Sequence, residues 1–212
     1  MAGYPLIDVY LTGKELKLAA EVDASVSDFM TTARLYCSGL NFTFNPNRMI
    51  LNKVTDCYLT REDGERIEIQ DDQLYRVVTD LYTGQMLGSV MEMSYGLLKI
   101  EPKDKDGNPI ENLENQAIME GDKELKAWDA IARYMKSFDD TDGNGISNVP
   151  EYYETTHGRK VVDESRNVID LVKNPNKFSV MIVGIVLVLI LIIILLVVLI
   201  RKLIKKRRRK KK

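Results

Sequence analysis

The sequence predicts an α+β protein: a mixed sheet with flanking helices, then an EF-hand-like helix-loop-helix, then one transmembrane helix. Three observations carry this. Strand-like alternation recurs through the first hundred residues and is interrupted by helical spacing. Residues 140–151 read DTDGNGISNVPE. Residues 178–200 contain no charged side chain.

Taken in order, residues 6–11 (LIDVYL) alternate and read as a strand, ended by Thr12 and Gly13. Residues 14–25 space Leu16, Leu18, Ala19 and Val22 as a helix does. A short strand is expected at 34–36. Residues 40–44 (LNFTF) form a strand closed by the turn Asn45-Pro46-Asn47. Residues 49–59 form the next, closed by Glu62-Asp63-Gly64, and 66–69 and 75–81 continue the sheet. A short helix is expected over 82–94, then a strand over 97–101 leading to a turn at 104–109. This order of elements describes one domain over residues 1–115.

A second module is expected at 122–156. Its helix, 123–138, places Leu125, Trp128, Ile131, Ala132, Met135 and Phe138 on one face. Residues 157–177 are polar and end in Asn174-Pro175-Asn176, which reads as a juxtamembrane linker.

The formal net charge of −1 conceals an asymmetry. Residues 201–212 hold ten of the 30 basic residues and none of the 31 acidic ones, so residues 1–177 hold 20 basic against 31 acidic. An acidic body repels phosphate backbones, which argues against a nucleic-acid partner. The 23 residues 178–200 span about 35 Å as a helix, enough for a hydrocarbon core of about 30 Å. A buried core helix rarely runs so long without a polar interruption. The basic tail then acts as a stop-transfer signal, predicting a single-pass plasma-membrane protein with a cytoplasmic C-terminus and an extracytoplasmic body. The tail also suits anionic lipid. An exported body needs a leader, and MAGYPLIDVYLTG has neither a basic n-region nor an apolar h-region. The expectation is therefore that the chain is the C-terminal piece of a longer exported protein.

Residues 140–151 fit the calcium-loop pattern D-x-[DN]-x-[DN]-G-x5-E. Asp140, Asp142 and Asn144 supply side-chain oxygens at loop positions 1, 3 and 5. Ile146 offers its carbonyl at position 7, and Asn148 acts directly or through water at position 9. Glu151 closes the shell as a bidentate carboxylate, and Gly145 permits the turn. Hard oxygen donors in this number suit Ca²⁺. The apolar residue stands at loop position 7, where paired EF-hands carry it at 8, and no second loop follows. The pattern is thus closer to single extracellular calcium loops, with weak affinity of about 10⁻⁴–10⁻³ M. A polar turn without metal is the competing reading.

Other candidates are weaker. His157 is the only histidine and reads as a solvated linker residue. One histidine cannot build a His-rich two-metal hydrolase centre. Cys37 and Cys57 lie near neighbouring strands, and both a disulfide and two buried thiols remain open. The sequon at Asn41 falls inside a strand. No Walker loop, G-x-G-x-x-G, CxxC or G-x-S-x-G occurs.

Three stretches in order, VYLTGKELKLAAE (9–21), CSGLNFTFNPNR (37–48) and LYRVVTDLYTG (74–84), resemble the C-terminal domain of the 5′-nucleotidase family of bifunctional metallophosphatases. The resemblance covers residues 4–100. It implies a substrate-binding domain of an extracytoplasmic enzyme that hydrolyses nucleotides. It also implies that the divalent metal pair and catalytic histidines belong to an upstream metallophosphatase domain or a partner chain. Family members that bind adenine carry a Gly-rich loop with a stacking aromatic; here the corresponding residues 85–90 read QMLGSV, with Val90 near the aromatic position. Tyr4 and Tyr82 are the substitutes expected to bind a nucleotide or nucleoside. The expectation is a membrane-anchored substrate-domain fragment, not catalytic alone. The alternative is a calcium-stabilised cell-surface structural or binding module.

Overall fold

The computed structural model describes residues 3–27, 29–30, 34–94 and 96–210. Residues 1–2, 28, 31–33 and 95 of the expected domain and 211–212 of the basic tail lie outside the described residues. β1 (Leu6–Thr12) runs directly into α1 (Gly13–Val26). Next come β2 (Leu40–Phe44), β3 (Val54–Thr60), β4 (Arg66–Glu68), β5 (Leu74–Asp80) and α2 (Leu81–Met93). The short strands β6 (Met119–Glu120) and β7 (Lys123–Glu124) lead into α3 (Ala127–Lys136). Then β8 (Lys160–Val162), α4 (Val168–Val172) and α5 (Lys177–Lys210) complete the chain.

The α+β expectation holds, but the expected single sheet is divided. β1 pairs antiparallel with β5, from Leu6 opposite Asp80 to Thr12 opposite Leu74. A separate four-stranded sheet has the order β4-β3-β2-β8. It is mixed, because β8 runs parallel to β2 while β3 and β4 are antiparallel neighbours. α1 contributes to both apolar clusters. Leu16, Ala19 and Val22 join Leu11, Leu98, Ile100 and Phe178. Ala20 and Ala24 join Leu40, Phe42 and Ile69 of the second sheet's side. Small side chains at 20 and 24 let that sheet close onto the helix.

Local chemistry explains where α1 starts. Thr12 caps it, with Oγ1 accepting from the Glu15 N–H at 3.3 Å while the Glu15 carboxylate accepts from the Thr12 N–H at 2.8 Å. Gly13 is required by contact: a Cβ there would stand 2.0 Å from the Gln70 carbonyl oxygen. The buried acids of α1 bind the surrounding segments. Glu21 accepts from the Lys53 N–H at 2.6 Å, the Val54 N–H at 2.9 Å and the Ser25 hydroxyl at 2.8 Å. Asp23 accepts from the Leu35 N–H at 2.6 Å and pairs with Lys160 at 2.7 Å.

Several expectations are corrected. Residues 34–36 are irregular, and β3 begins at Val54 because 45–52 form a turn region in which Leu51 takes a positive φ of 60°. Residues 97–101 form no strand; just beyond them Lys103 and Tyr10 of β1 exchange hydrogen bonds of 2.8 and 2.9 Å. The helix expected over 123–138 begins at Ala127, because Lys123–Glu124 pairs with β6. The expected linker 157–177 carries β8 and α4, so the folded unit extends well beyond residue 115. α5 is the one helix among the described residues long and apolar enough to cross a membrane, and its apolar window is fully exposed.

Candidate functional site

Tyr4 and Tyr82 are brought together. Their ring centroids are 5.4 Å apart with planes inclined at 35°, and the residues are 54% and 42% exposed. The β1·β5 register does this. Leu6 lies opposite Asp80, the Leu81 N–H donates to the Pro5 carbonyl at 2.9 Å, and Tyr82 stands on the first turn of α2. Asp80 caps that turn, accepting from the Thr83 N–H at 3.0 Å and the Thr83 hydroxyl at 2.6 Å.

Main-chain pairing brings Trp128, which sequence reasoning assigned only to the apolar face of its helix, against Gly3, the residue before Tyr4. The Ala127 N–H donates to the Tyr4 carbonyl at 3.1 Å, and the Leu6 N–H donates to the Leu125 carbonyl at 2.8 Å. This main-chain pairing lays Trp128 over Gly3, where a Cβ would be 2.9 Å from the indole Cδ1. No sequence signal marks it, because the bridge joins segments more than about a hundred positions apart.

Trp128 also lines a cleft of about 770 Å³. Its charged lining is four carboxylates (Glu120, Asp122, Glu124, Asp129) against Lys123, Lys126 and Arg133. Arg133 is bound to Glu120 at 2.8 Å and to Asp129 at 2.6 Å, and Lys126 is paired with Glu124. The edge therefore offers flat apolar stacking surface without a free cluster of cations among the described residues, which suits an uncharged planar ring better than a phosphate. Val90, expected near the stacking position, instead lies in α2 and packs with Leu87 against the cluster of Leu11 and Ile100. It faces the core and is no part of this edge.

The loop at 140–151 is ordered by its own side chains. The Asp140 carboxylate accepts from the Gly145 and Gly143 N–H groups, each at 2.8 Å, which holds its carboxyl below the usual carboxylate range. Asn144 Oδ1 accepts from the Ile146 N–H at 2.8 Å, and Asn148 Oδ1 accepts from the Thr141 N–H at 2.7 Å. The Asp142 carboxylate accepts from the Asn144 amide at 2.9 Å. Glu151 opens an exposed 3-10 turn, Glu151–Glu154. That turn stands where an exiting α-helix was expected, so the EF-hand helix-loop-helix is not formed. Among the described residues no three His, Cys, Asp or Glu side chains are grouped as metal ligands would be.

His157 is not a bare linker residue. Its ring stacks on Tyr152 with centroids 3.8 Å apart and an 11° tilt, and Tyr153 meets it edge-on at 6.3 Å. Tyr153 in turn contacts Tyr134 and Phe138, so rings from both sides of the loop form one cluster. Cys37 and Cys57 are free thiols packed against the Phe42 cluster. Burial pushes Cys57 up to about 12. The Asn41 amide donates to the Thr60 hydroxyl at 2.7 Å and is buried, which leaves the sequon inaccessible.

Residues 2–94, comprising β1–β5, α1 and α2, match the family described as 5′-nucleotidase, C-terminal domain. Among solved structures, the chain is similar to the 5′-nucleotidase precursor from Thermus thermophilus, with a TM-score of 0.50 and 18% identity. That likeness covers 77% of this chain and 26% of the other, so the chain spans about a quarter of that protein. The Haemophilus influenzae NAD nucleotidase matches with a TM-score of 0.35 and 21% identity, over 48% of this chain and 19% of that one. At 18% identity the likeness to the Thermus thermophilus protein concerns the fold. No curated protein matches the chain.

Proposed function

We propose, from the match of residues 2–94 to the 5′-nucleotidase C-terminal domain, that this chain is the membrane-anchored substrate-recognition part of an extracytoplasmic 5′-nucleotidase-like phosphoester hydrolase. The observation that carries the reading is the exposed Tyr4–Tyr82 ring pair, with Trp128 over the neighbouring Gly3. Such rings take a nucleobase by stacking, and the acid-rich cleft beside them favours the nucleoside moiety over its phosphates. This reading takes the metal pair and catalytic histidines to lie in a metallophosphatase domain on a separate segment or a partner chain, as the family resemblance implies; the single histidine here builds no His-rich two-metal centre. α5 serves as a single-pass plasma-membrane anchor, with the ten basic residues of the tail in the cytoplasm against anionic lipid.

The test is a titration of the full chain in lipid nanodiscs with adenosine, AMP and inorganic phosphate, read by Trp128 fluorescence and calorimetry. Adenosine is expected to bind, inorganic phosphate alone is not. Tyr4→Ala and Tyr82→Ala are each expected to weaken binding about 5- to 150-fold, the equivalent of about 1–3 kcal/mol for a stacked base. Equal affinity in both variants and the parent chain, or no binding by the parent, would sink the reading.

A second reading, a calcium-stabilised cell-surface module, draws support from the ordered loop around Asp140 and the ring cluster that joins its two sides. Asp140, Asp142, Asn144, Ile146, Asn148 and Glu151 would supply the oxygens. It requires Ca²⁺ to raise the melting temperature of the chain and Asp140→Ala to abolish that rise; an unchanged melting temperature on adding Ca²⁺ removes it.

A further inference from the structure

Three features meet where α5 leaves the domain. The first is a clamp. Arg48, only 7% exposed, donates from Nε to the Asn52 carbonyl at 2.7 Å, from Nη1 to the Asp170 carbonyl at 2.6 Å and from Nη2 to the Lys173 carbonyl at 2.7 Å. Asn176 then uses both ends of its amide. Nδ2 donates to the Leu51 carbonyl, while Oδ1 accepts from the Phe178 and Ser179 N–H groups at 3.0 Å each and caps α5. The chain between β8 and α5 is a strap fastened to the 45–52 turn, not a free tether.

The second feature is Phe178. It is the first residue of the apolar run, yet it is 5% exposed and shares a core cluster with Leu98, against which Leu51 also packs. Two residues later Val180 is 62% exposed. The change from protein-buried to lipid-facing side chains therefore falls within about half a turn of helix.

The third feature is a pair of exposed apolar tips beside this point. Ile50, 44% exposed, precedes Leu51; Leu97, 46% exposed, precedes Leu98. Leu97 lines the same cavity of about 980 Å³ as Phe178, together with Lys99 and Lys177. The Lys177 ammonium lies 4.8 Å from the Phe178 ring centroid.

We propose that the 49–52 and 96–99 loops form a seating surface that rests on the outer leaflet from which α5 emerges, a proposal that rests on reading α5 as a membrane span. The occupant is lipid because these loops are bonded to, or packed in one cluster with, the residues that open the span. A bilayer crossed by α5 fills the space beside them. Ile50 and Leu97 enter the interfacial layer, and Lys177 extends its ammonium group to the lipid phosphates while its stem stays along apolar surface; the Lys99 ammonium is held by Glu101 at 3.0 Å. Because the strap is clamped, the surface fixes the tilt of the whole domain and hence the direction in which the Tyr4–Tyr82 edge faces.

The test places a photoreactive benzophenone amino acid at one position at a time in the full chain, reconstituted in phosphatidylcholine nanodiscs, and reads lipid adducts by intact mass. The positions are Ile50, Leu97, Ile190 within the span, and Ile131 on α3. All four are exposed, and Ile50 and Leu97 stand on separate loops, so a folding defect at one leaves the other informative. Adducts are expected at Ile50, Leu97 and Ile190 and not at Ile131. Adducts at Ile190 with none at Ile50 or Leu97 overturn the seating surface and leave the anchor standing. No adduct at Ile190 overturns the anchor, and the seating surface with it. Adducts at Ile131 as strong as at Leu97 overturn the proposed orientation.

Discussion

The Arg48 guanidinium reaches the Lys173 backbone carbonyl at 2.7 Å across 125 positions of sequence. A guanidinium is suited to this task because its planar fork presents several donors in fixed directions, and here three of them end on carbonyls of two separate segments. Through this one side chain the 45–52 turn holds the strap that precedes α5.

Arg48→Ala is therefore expected to destabilise the chain by about 3 kcal/mol, since three carbonyls lose charge-assisted partners. Arg48→Lys recovers only part of this, because an ammonium cannot span the same three acceptors. Urea unfolding in detergent measures both. Arg61→Ala, which removes an exposed pair with Glu65, is the comparison and should stay within about 0.5 kcal/mol. Equal effects of Arg48→Ala and Arg61→Ala would contradict the clamp.

Two glycines make opposite predictions. Gly13→Ala must displace the Gln70 main chain, which stands 2.0 Å from the new Cβ, and is expected to cost about 3 kcal/mol. Gly88 lies within α2 with nothing within 4 Å of an added Cβ. Gly88→Ala is expected to stabilise by up to about 1 kcal/mol through helix propensity. Denaturant midpoints that shift in the same direction would refute the packing argument.

Acid sensitivity should trace to Glu15. Burial pushes its carboxyl up, but the Lys103 ammonium and the Thr12 and Glu101 donors outweigh burial and hold it below the ordinary 4.5. A carboxyl depressed in the folded state contributes stability that is complete above about 4.5 and is lost as pH falls through the lowered value. Glu15→Gln should lower stability at neutral pH and flatten the decline below pH about 4.5. A parallel acid limb in the variant would exclude Glu15 as its source.

Thiol chemistry separates the two cysteine readings. With burial pushing the Cys57 thiol to about 12 and raising that of Cys37 as well, alkylation of the native chain at pH about 8 should be slower than that of an unfolded thiol by about 10³-fold at Cys57. Both thiols should react once the chain is denatured without reductant. Two unreactive cysteines under those conditions would mean a disulfide in the native protein.

Much of the fold was legible because it is written in short-range pattern. Residues 40–44 form the expected strand to the residue, since LNFTF alternates and a Pro-Asn turn stops it. α1 was legible from its leucine spacing, although the T-x-x-E capping box at Thr12–Glu15 passed unread. β8 was not legible. KVV is too short to alternate, and it becomes a strand only because β2 offers an open edge, where the Phe42 N–H donates to the Arg159 carbonyl at 2.9 Å. The candidate site divides the same way: Tyr4 and Tyr82 are expected from sequence as base-binding rings, whereas their pairing and the approach of Trp128 to Gly3 come only from tertiary main-chain contacts.

By itself the sequence determined the apolar span, the charge asymmetry across it, the order of the early strands and the calcium-type loop pattern. Each depends on residues within a few positions of one another, where periodicity and turn chemistry act directly. Tertiary structure alone decided the division into two sheets about α1, the burial of Arg48, the recruitment of the 157–177 segment and the pairing of the Tyr4 and Tyr82 rings. Those outcomes depend on which distant backbone edges and apolar faces find each other, and no local pattern encodes that choice.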